Sequence, residues 1–280
     1  MSQTHKAVSP DLDEASVIYE QADGVVTLTL NRPRQLNALN SSLARQLVEC
    51  VQRAETKAET RVIVIKGAGL HFMAGGDLHE FRLASALPSA LRDAAFEALI
   101  DDAHAAIRAL HACAPCVVGS VRGAVAGFGI GLLSACDLAL CADDAFFKLA
   151  YSQIGASPDG AATYALPRWL GHKQAMELTL LSERLDASAA ERLGLVNKVV
   201  PAGVLDEELG RLVKHLTGLP ALAVAKSKLL IRQGVVASLD EQLDAERNAF
   251  IQCAGTPDFA EGVSAFLERR PAQFGGSTLQ

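Results

Sequence analysis

Aromatic residues make up only 5% of this 280-residue chain, and positive charge is outnumbered: 26 Lys and Arg stand against 32 Asp and Glu, for a net charge of -6. A balance of that sign excludes a protein that coats nucleic acid through its overall charge, although local fields still permit small anionic ligands. No apolar run reaches the roughly 18 residues a membrane span needs. The opening residues carry Asp11, Asp13 and Glu14, with no apolar stretch and no Arg, so neither a secretory signal nor a transit peptide is expected. The closing Ser277-Thr278-Leu279-Gln280 lacks the Ser-Lys-Leu peroxisomal address. Cys50, Cys113, Cys116, Cys136, Cys141 and Cys253 are scattered and read as reduced thiols, so a soluble cytoplasmic protein is the expectation. Half the residues are hydrophobic, which excludes bulk disorder and suits one large α/β domain or two small ones.

Several catalytic signatures are also missing. Cys113-Ala114-Pro115-Cys116 has redox or zinc spacing, but a strand follows it and no second pair completes a tetrahedral site. Gly127-Phe128-Gly129-Ile130-Gly131 continues with Leu132, so the dinucleotide fingerprint fails, and no phosphate-binding P-loop occurs. His79-Glu80 has Leu83 where a zinc-protease helix needs its second His, and Gly119-Ser120 forms no nucleophile elbow. Rossmann, P-loop, metalloprotease and serine-hydrolase chemistries are set aside, and no metal site is expected.

What remains is an ordered alternation. Residues 25–30 read as a β-branched strand stopped by Asn31-Arg32-Pro33, and an amphipathic helix follows over 41–57. A second strand is expected at 62–65, a long helix over 89–111, and short strands at 117–118, 138–140 and 146–147. Beyond about residue 160 the pattern reads as almost wholly helical, with helices over 173–181, 187–193, 205–217, 221–233, 239–253 and 257–270. Strands alternating with helices, then a helical end, predict a parallel α/β core with a helical appendage. Residues 1–15 read as a loose leader and 275–280 as a loose tail.

Two glycine-containing turns each follow a strand and precede a helix. They are Phe72-Met73-Ala74-Gly75-Gly76-Asp77-Leu78 and Gly123-Ala124-Val125-Ala126-Gly127-Phe128-Gly129-Ile130-Gly131. Glycine lets a backbone approach a ligand closely, so such turns suit either tight packing or an oxyanion site. These turns, together with 31–39, Arg122 through Asp137, and Glu261-Gly262-Val263-Ser264-Ala265-Phe266-Leu267, resemble the crotonase (enoyl-CoA hydratase/isomerase) superfamily over residues 17–274. The wording is closest to its Δ3,Δ2-enoyl-CoA isomerase and phenylacetate-pathway branch. The fold so implied is α/β, a spiral of ββα turns over 16–200 with a C-terminal helical region over 201–274 that trimerises, giving a homotrimer or a dimer of trimers.

The resemblance also implies roles. The backbone N–H groups of Ala74 and Phe128 fall at the oxyanion hole. Arg34, Gln35 and Leu36, with Ala74, Gly75, Gly76 and Asp77, fall where coenzyme A is held; a solvated turn for Arg34 and a turn anchor for Asp77 are the plain alternatives. Arg269 or Arg270 falls where a cation reaches a CoA phosphate. His79, Phe81, Gly131 and Tyr151 fall around the acyl group, with Leu87 nearby. Similar hydratases use two glutamates, and those positions are Gly131 and Tyr151 here, so weak or absent hydratase activity is expected. Ile154-Gly155-Ala156-Ser157-Pro158-Asp159-Gly160 places Asp159 where similar isomerases carry one catalytic acid, a cap for a helix starting near 160 being the plain alternative. Phe128, Ile130, Tyr151 and Ile154 are candidate apolar walls around it. The activity implied is a 3-enoyl-CoA to 2-enoyl-CoA shift with the CoA thioester as substrate and no cofactor, no nucleic acid and no membrane involved. Dehalogenation, with His104 one residue out of register, ring isomerisation, hydrolysis and a non-catalytic acyl-CoA-binding subunit are the rivals.

Overall fold

The computed structural model describes residues 15–275; the expected leader and tail lie outside that range but for one residue each. The main sheet has six strands. They are β1 (Val17–Ala22), β2 (Val25–Leu30), β3 (Val62–Gly67), β4 (Cys116–Val121), β6 (Leu138–Ala142) and β9 (Lys198–Val200), hydrogen-bonded in that order. β1 and β2 form an antiparallel hairpin, and every later pairing is parallel. A second sheet joins β5 (Ala124–Ala126), β7 (Phe146–Lys148) and β8 (Leu185–Asp186). Parallel pairing needs crossovers, and helices supply them: α1 (Ser41–Glu55) between β2 and β3, then α2 (Leu78–Ser85) and α3 (Ser89–Ala112) between β3 and β4.

β3 and β4 are buried along most of their length, and the Val62-Ile63-Val64-Ile65 run of β3 is what a strand covered on both faces requires. α1 packs against α3 and the β1–β2 hairpin with Leu43, Leu47 and Val51 fully buried, and Asn40 caps it by accepting from the Leu43 N–H at 2.9 Å. The short α4 (Phe128–Ser134) leads from β5 into β6. The helical part holds α5 (Ala162–Leu170), α6 (His172–Leu181), α7 (Ala187–Arg192), α8 (Leu205–Thr217), α9 (Ala221–Gly234), α10 (Leu239–Ala254) and α11 (Pro257–Glu268). The expected mixed α/β architecture holds, with two corrections. The region past 160 is not wholly helical, because β8 and β9 are threaded through it and β9 ends the main sheet. The helix near 160 starts at Ala162 instead, since Ala161 takes a left-handed φ of 66°.

Asp137, just before β6, ties the helical part to the sheet. Its carboxylate accepts from the Val117 N–H at 2.8 Å and pairs with Lys228 at 2.8 Å and Arg232 at 2.7 Å on α9. Cys113 and Cys116 are buried free thiols beside it, and burial followed by the Asp137 charge pushes Cys116 up to about 12. The C-x-x-C spacing therefore carries packing thiols and no redox pair. Among the described residues no helix is long and apolar enough to cross a membrane, and no cluster of His, Cys, Asp and Glu suits a metal ion.

Candidate active site

The site begins with the turn after β2. Asn37 takes φ 56°, a region that Asn tolerates better than most residues, and it is fully buried. Its side chain accepts from the Arg32 N–H at 3.0 Å and donates to the carbonyls of Ala68 and His71 at 3.0 and 2.7 Å. Arg32 then reaches across to Asp77 at 2.7 Å, both side chains being mostly buried. Asp77 also caps α2 by accepting from the His79 N–H at 2.9 Å. Burial raises the Asp77 carboxyl, but its hydrogen bonds and the Arg32 charge outweigh that and hold it below the usual range. Asp77 is thus the anchor of its turn, with its carboxylate engaged inside the protein. The exposed Arg34, Gln35 and Leu36 sit on the same segment as Arg32, and no described carboxylate pairs with Arg34.

The two glycine turns meet. Gly75 has φ 95° and Gly127 φ 48°, conformations that a side chain would strain. Their backbones abut so closely that a Cβ on Gly127 would lie 3.4 Å from the Gly75 Cα, and one on Gly75 3.3 Å from the Ala126 carbonyl oxygen. A bridge between Met73 and Val125 locks the two segments in register.

This geometry corrects one expected donor. The Ala74 N–H donates to the Leu36 carbonyl at 3.0 Å, and so it is spent joining the first turn to the 34–36 segment. The neighbouring backbone makes its contacts through the Gly75 carbonyl, which accepts from Leu39 at 2.7 Å, and the Asp77 N–H, which donates back to Leu39 at 2.8 Å. The Gly76 N–H between them has no acceptor among the described residues, and neither does the Phe128 N–H at the start of α4. The Gly75 N–H is likewise without an acceptor among the described residues; Gly76 and Phe128 are the two such donors that directly follow the abutting glycines. Sequence reasoning missed Gly76 because both residues sit in the same matched turn, and only the hydrogen-bond pattern tells them apart.

The acid lies beside this pair. Asp159 is half-buried and accepts a short hydrogen bond from the Tyr151 phenol, whose oxygen lies 3.9 Å from the place a Cβ on Gly127 would take. No side chain caps α5, so Asp159 is not the helix cap of the plain alternative. Burial raises the Asp159 carboxyl above its ordinary value, while the Tyr151 hydrogen bond and the charge of His104 on α3 pull it back only in part. Tyr151 is itself raised, first by burial and then by the Asp159 charge.

The remaining residues divide. Gly131 is buried, and a Cβ there would meet the Gly160 carbonyl oxygen at 2.2 Å, so the loop bearing Asp159 fills the space a side chain at 131 would take. The Phe128 ring packs on Gly160 and forms one apolar wall; Ile130 is buried as well. Ile154 is 46% exposed and is not a wall. Phe81 lies over Gly76 and packs edge-on against Phe96, whereas His79 faces solvent and contacts Arg82. Leu87 is exposed too. Arg270 is held by Glu261 and Glu268, and Arg269 forms the left-handed end of α11. Two cavities lie elsewhere: one of about 500 Å³ among α9, α10 and α11, and one of about 880 Å³ lined by Ile107, Tyr164, Trp169 and Arg232. Neither is lined by Gly76, Phe128 or Asp159.

Free backbone donors on two abutting turns, with a half-buried carboxylate on the loop packed against Phe128, make up an arrangement suited to stabilising an enolate oxygen while a proton moves on the adjoining carbon. The comparisons with known proteins identify the family. The enoyl-CoA hydratase/isomerase family matches residues 20–277. A probable enoyl-CoA hydratase of Rhodobacter capsulatus is 34% identical over 93% of this chain and 98% of its own. The 1,2-epoxyphenylacetyl-CoA isomerase of Escherichia coli is 35% identical over 90% and 95%. The crystal structure of an enoyl-CoA hydratase from Polaromonas sp. JS666 superposes with a TM-score of 0.87 at 32% identity, covering 92% of this chain and 99% of that one. The chain belongs to the enoyl-CoA hydratase/isomerase family and is an acyl-CoA enzyme of the crotonase superfamily.

Proposed function

We propose that this enzyme shifts a double bond from the 3 to the 2 position of an enoyl-CoA with Asp159 as its one proton carrier. Asp159 removes a C2 proton; the thioester oxygen gains charge and is held by the N–H groups of Gly76 and Phe128; Asp159 returns the proton at C4. Each such donor contributes about 3–4 kcal/mol in a dry, preorganised site. The CoA thioester is the substrate, and the scheme calls on no cofactor. The exposed Arg34, Gln35 and Leu36 segment, bonded to the first glycine turn through Leu36, is the reading for the CoA end. Phe81 over Gly76 is the reading for an acyl wall.

The observation that carries this proposal is the contact of Gly131 with Gly160. It supports a site in which the loop bearing Asp159 stands where a second acid would need room, and Tyr151, at the other glutamate position, donates to Asp159 instead. Weak hydration follows from that reading, although relatives bear hydratase names. A ring-shifting isomerisation is the second reading, favoured by the likeness to the Escherichia coli isomerase. Purified protein incubated with 3-hexenoyl-CoA should give 2-hexenoyl-CoA, with kcat lower by about 10²–10⁴ in Asp159→Asn. Full turnover by that variant, or faster hydration of 2-hexenoyl-CoA than isomerisation, would refute the scheme. Self-association belongs to the same reading, because Phe250, Ile251, Phe266 and Leu267 on α10 and α11 are each more than half exposed.

A further inference from the structure

Tyr151 and Asp159 are joined by a hydrogen bond for which no regular element of the fold accounts. Tyr151 opens a single 3-10 turn, Tyr151–Ile154, and Asp159 lies in the irregular segment before α5, eight residues further on. We propose that Tyr151 is a positioning residue for Asp159: its phenol fixes Oδ1 and thereby turns Oδ2 toward the substrate. The inference rests on the single-carboxylate reading above.

The phenol is well placed for the task. Tyr151 is only 9% exposed, its ring is held beside Gly127, and it has a single rotatable polar atom, so its position is set by packing. Asp159 by contrast has a soft terminal torsion and lies on no helix or strand. Oδ1 accepts the phenol hydrogen, and the Asp159 backbone N–H is the other donor to the carboxylate. The groups that face Asp159 are Tyr151 from the 3-10 turn and His104 from α3. A donor on the carboxylate also favours its ionised form, the form able to accept a proton, against the burial that disfavours it. Tyr151 thus has two effects on one atom group: it sets the direction of the carboxylate and favours its ionised form against burial.

Full-length protein labelled with [13C]carboxyl aspartate provides a test that needs no substrate. The Asp159 signal, assigned by its loss in Asp159→Asn, should titrate at higher pH in Tyr151→Phe than in the parent protein. With 3-hexenoyl-CoA, Tyr151→Phe should lower kcat about 10–100-fold at unchanged KM. The acid limb of its pH–rate profile should move up with the titration, and Tyr151→Phe should add nothing in an Asp159→Asn background. Should Tyr151→Phe fail to fold, [13Cζ]tyrosine in the parent protein serves instead: the Tyr151 signal should step at the Asp159 midpoint and lose that step in Asp159→Asn. An unmoved Asp159 midpoint in folded Tyr151→Phe, or a Tyr151 signal blind to Asp159, overturns the proposal. Full activity in Asp159→Asn would instead defeat the single-carboxylate reading, leaving the titration to judge the Tyr151 contact.

Discussion

Replacing Gly131 by Ala adds one methyl group at the position where similar hydratases carry a glutamate. That Cβ would lie 2.2 Å from the Gly160 carbonyl oxygen, 2.9 Å from its carbonyl carbon and 3.1 Å from its Cα, whereas ordinary contact begins at 3.4 Å. The loop must therefore retreat by about 1.2 Å (3.4 minus 2.2). Overpacking of this kind costs about 1–3 kcal/mol. Ala in a helix recovers about 1 kcal/mol relative to Gly, leaving a net loss of about 0–2 kcal/mol. The kinetic effect should be larger than the thermodynamic one, because Gly160 adjoins Asp159 and a displacement near 1 Å at a reacting group costs about 100-fold in rate. Urea unfolding and steady-state turnover of 3-hexenoyl-CoA, measured on the same preparation, separate the two. A variant with parental kcat and higher stability would refute the seating of the 157–161 loop against α4, and with it the argument that this site has no room for a second acid. Gly131→Glu should be worse than Gly131→Ala in both assays and should gain no hydratase activity.

Two further outcomes follow from the same structure. Asp159 binds its proton more tightly folded than unfolded, so stability falls as pH rises from the unfolded carboxyl value, about 3.9, through the raised folded one. Asp159→Asn should therefore gain more in Tm over the parent at pH 7 than at pH 4 by differential scanning fluorimetry, and an equal difference at both would count against a buried charge. Phe266→Glu with Leu267→Glu, at sites 84% and 75% exposed, should abolish self-association in sedimentation velocity while leaving the subunit fold intact by circular dichroism. A parent protein that sediments as a monomer would remove that reading.

The main sheet was legible where residues are buried on both faces. β3 is nearly continuous Val and Ile, and α1, α3 and α8 through α11 carry long helical periods, so their positions follow from pattern. β1 gave no signal because only Val17 is buried and the outward residues do not alternate cleanly. α2 buries no residue at all, and α5 contains Pro167 and starts without a side-chain cap, so neither shows the usual marks of a helix. β9 is three residues long, too short for any period, and it is held by its pairing with β6.

At the site, the glycine turns and the acid were visible as residue types, but their partners were not. Asn37, Arg32 and Gly160 act through contacts between segments distant in sequence. Tyr151 could be identified only as the absence of a carboxylate, since its bond to Asp159 depends on how the chain folds between 151 and 159.

Those partners decide the chemistry. An ordinary Asp is a weak base toward carbon, and burial strengthens it, but burial alone would also favour the protonated form that cannot accept a proton. Asp159 stands between the two extremes because desolvation raises its proton affinity while the Tyr151 phenol and the charge of His104 restrain the rise. The oxyanion side faces a matching constraint. A backbone N–H helps only if the fold leaves it unpaired, and here the Ala74 N–H is consumed by Leu36 so that the turn is fixed, while the Gly75 and Gly76 N–H groups beyond it have no acceptor among the described residues. The bond at Ala74 fixes the turn, so the donors beyond it stay ready without reorganisation, and the positive φ of Gly75 (95°) and Gly127 (48°) lets the two turns abut there.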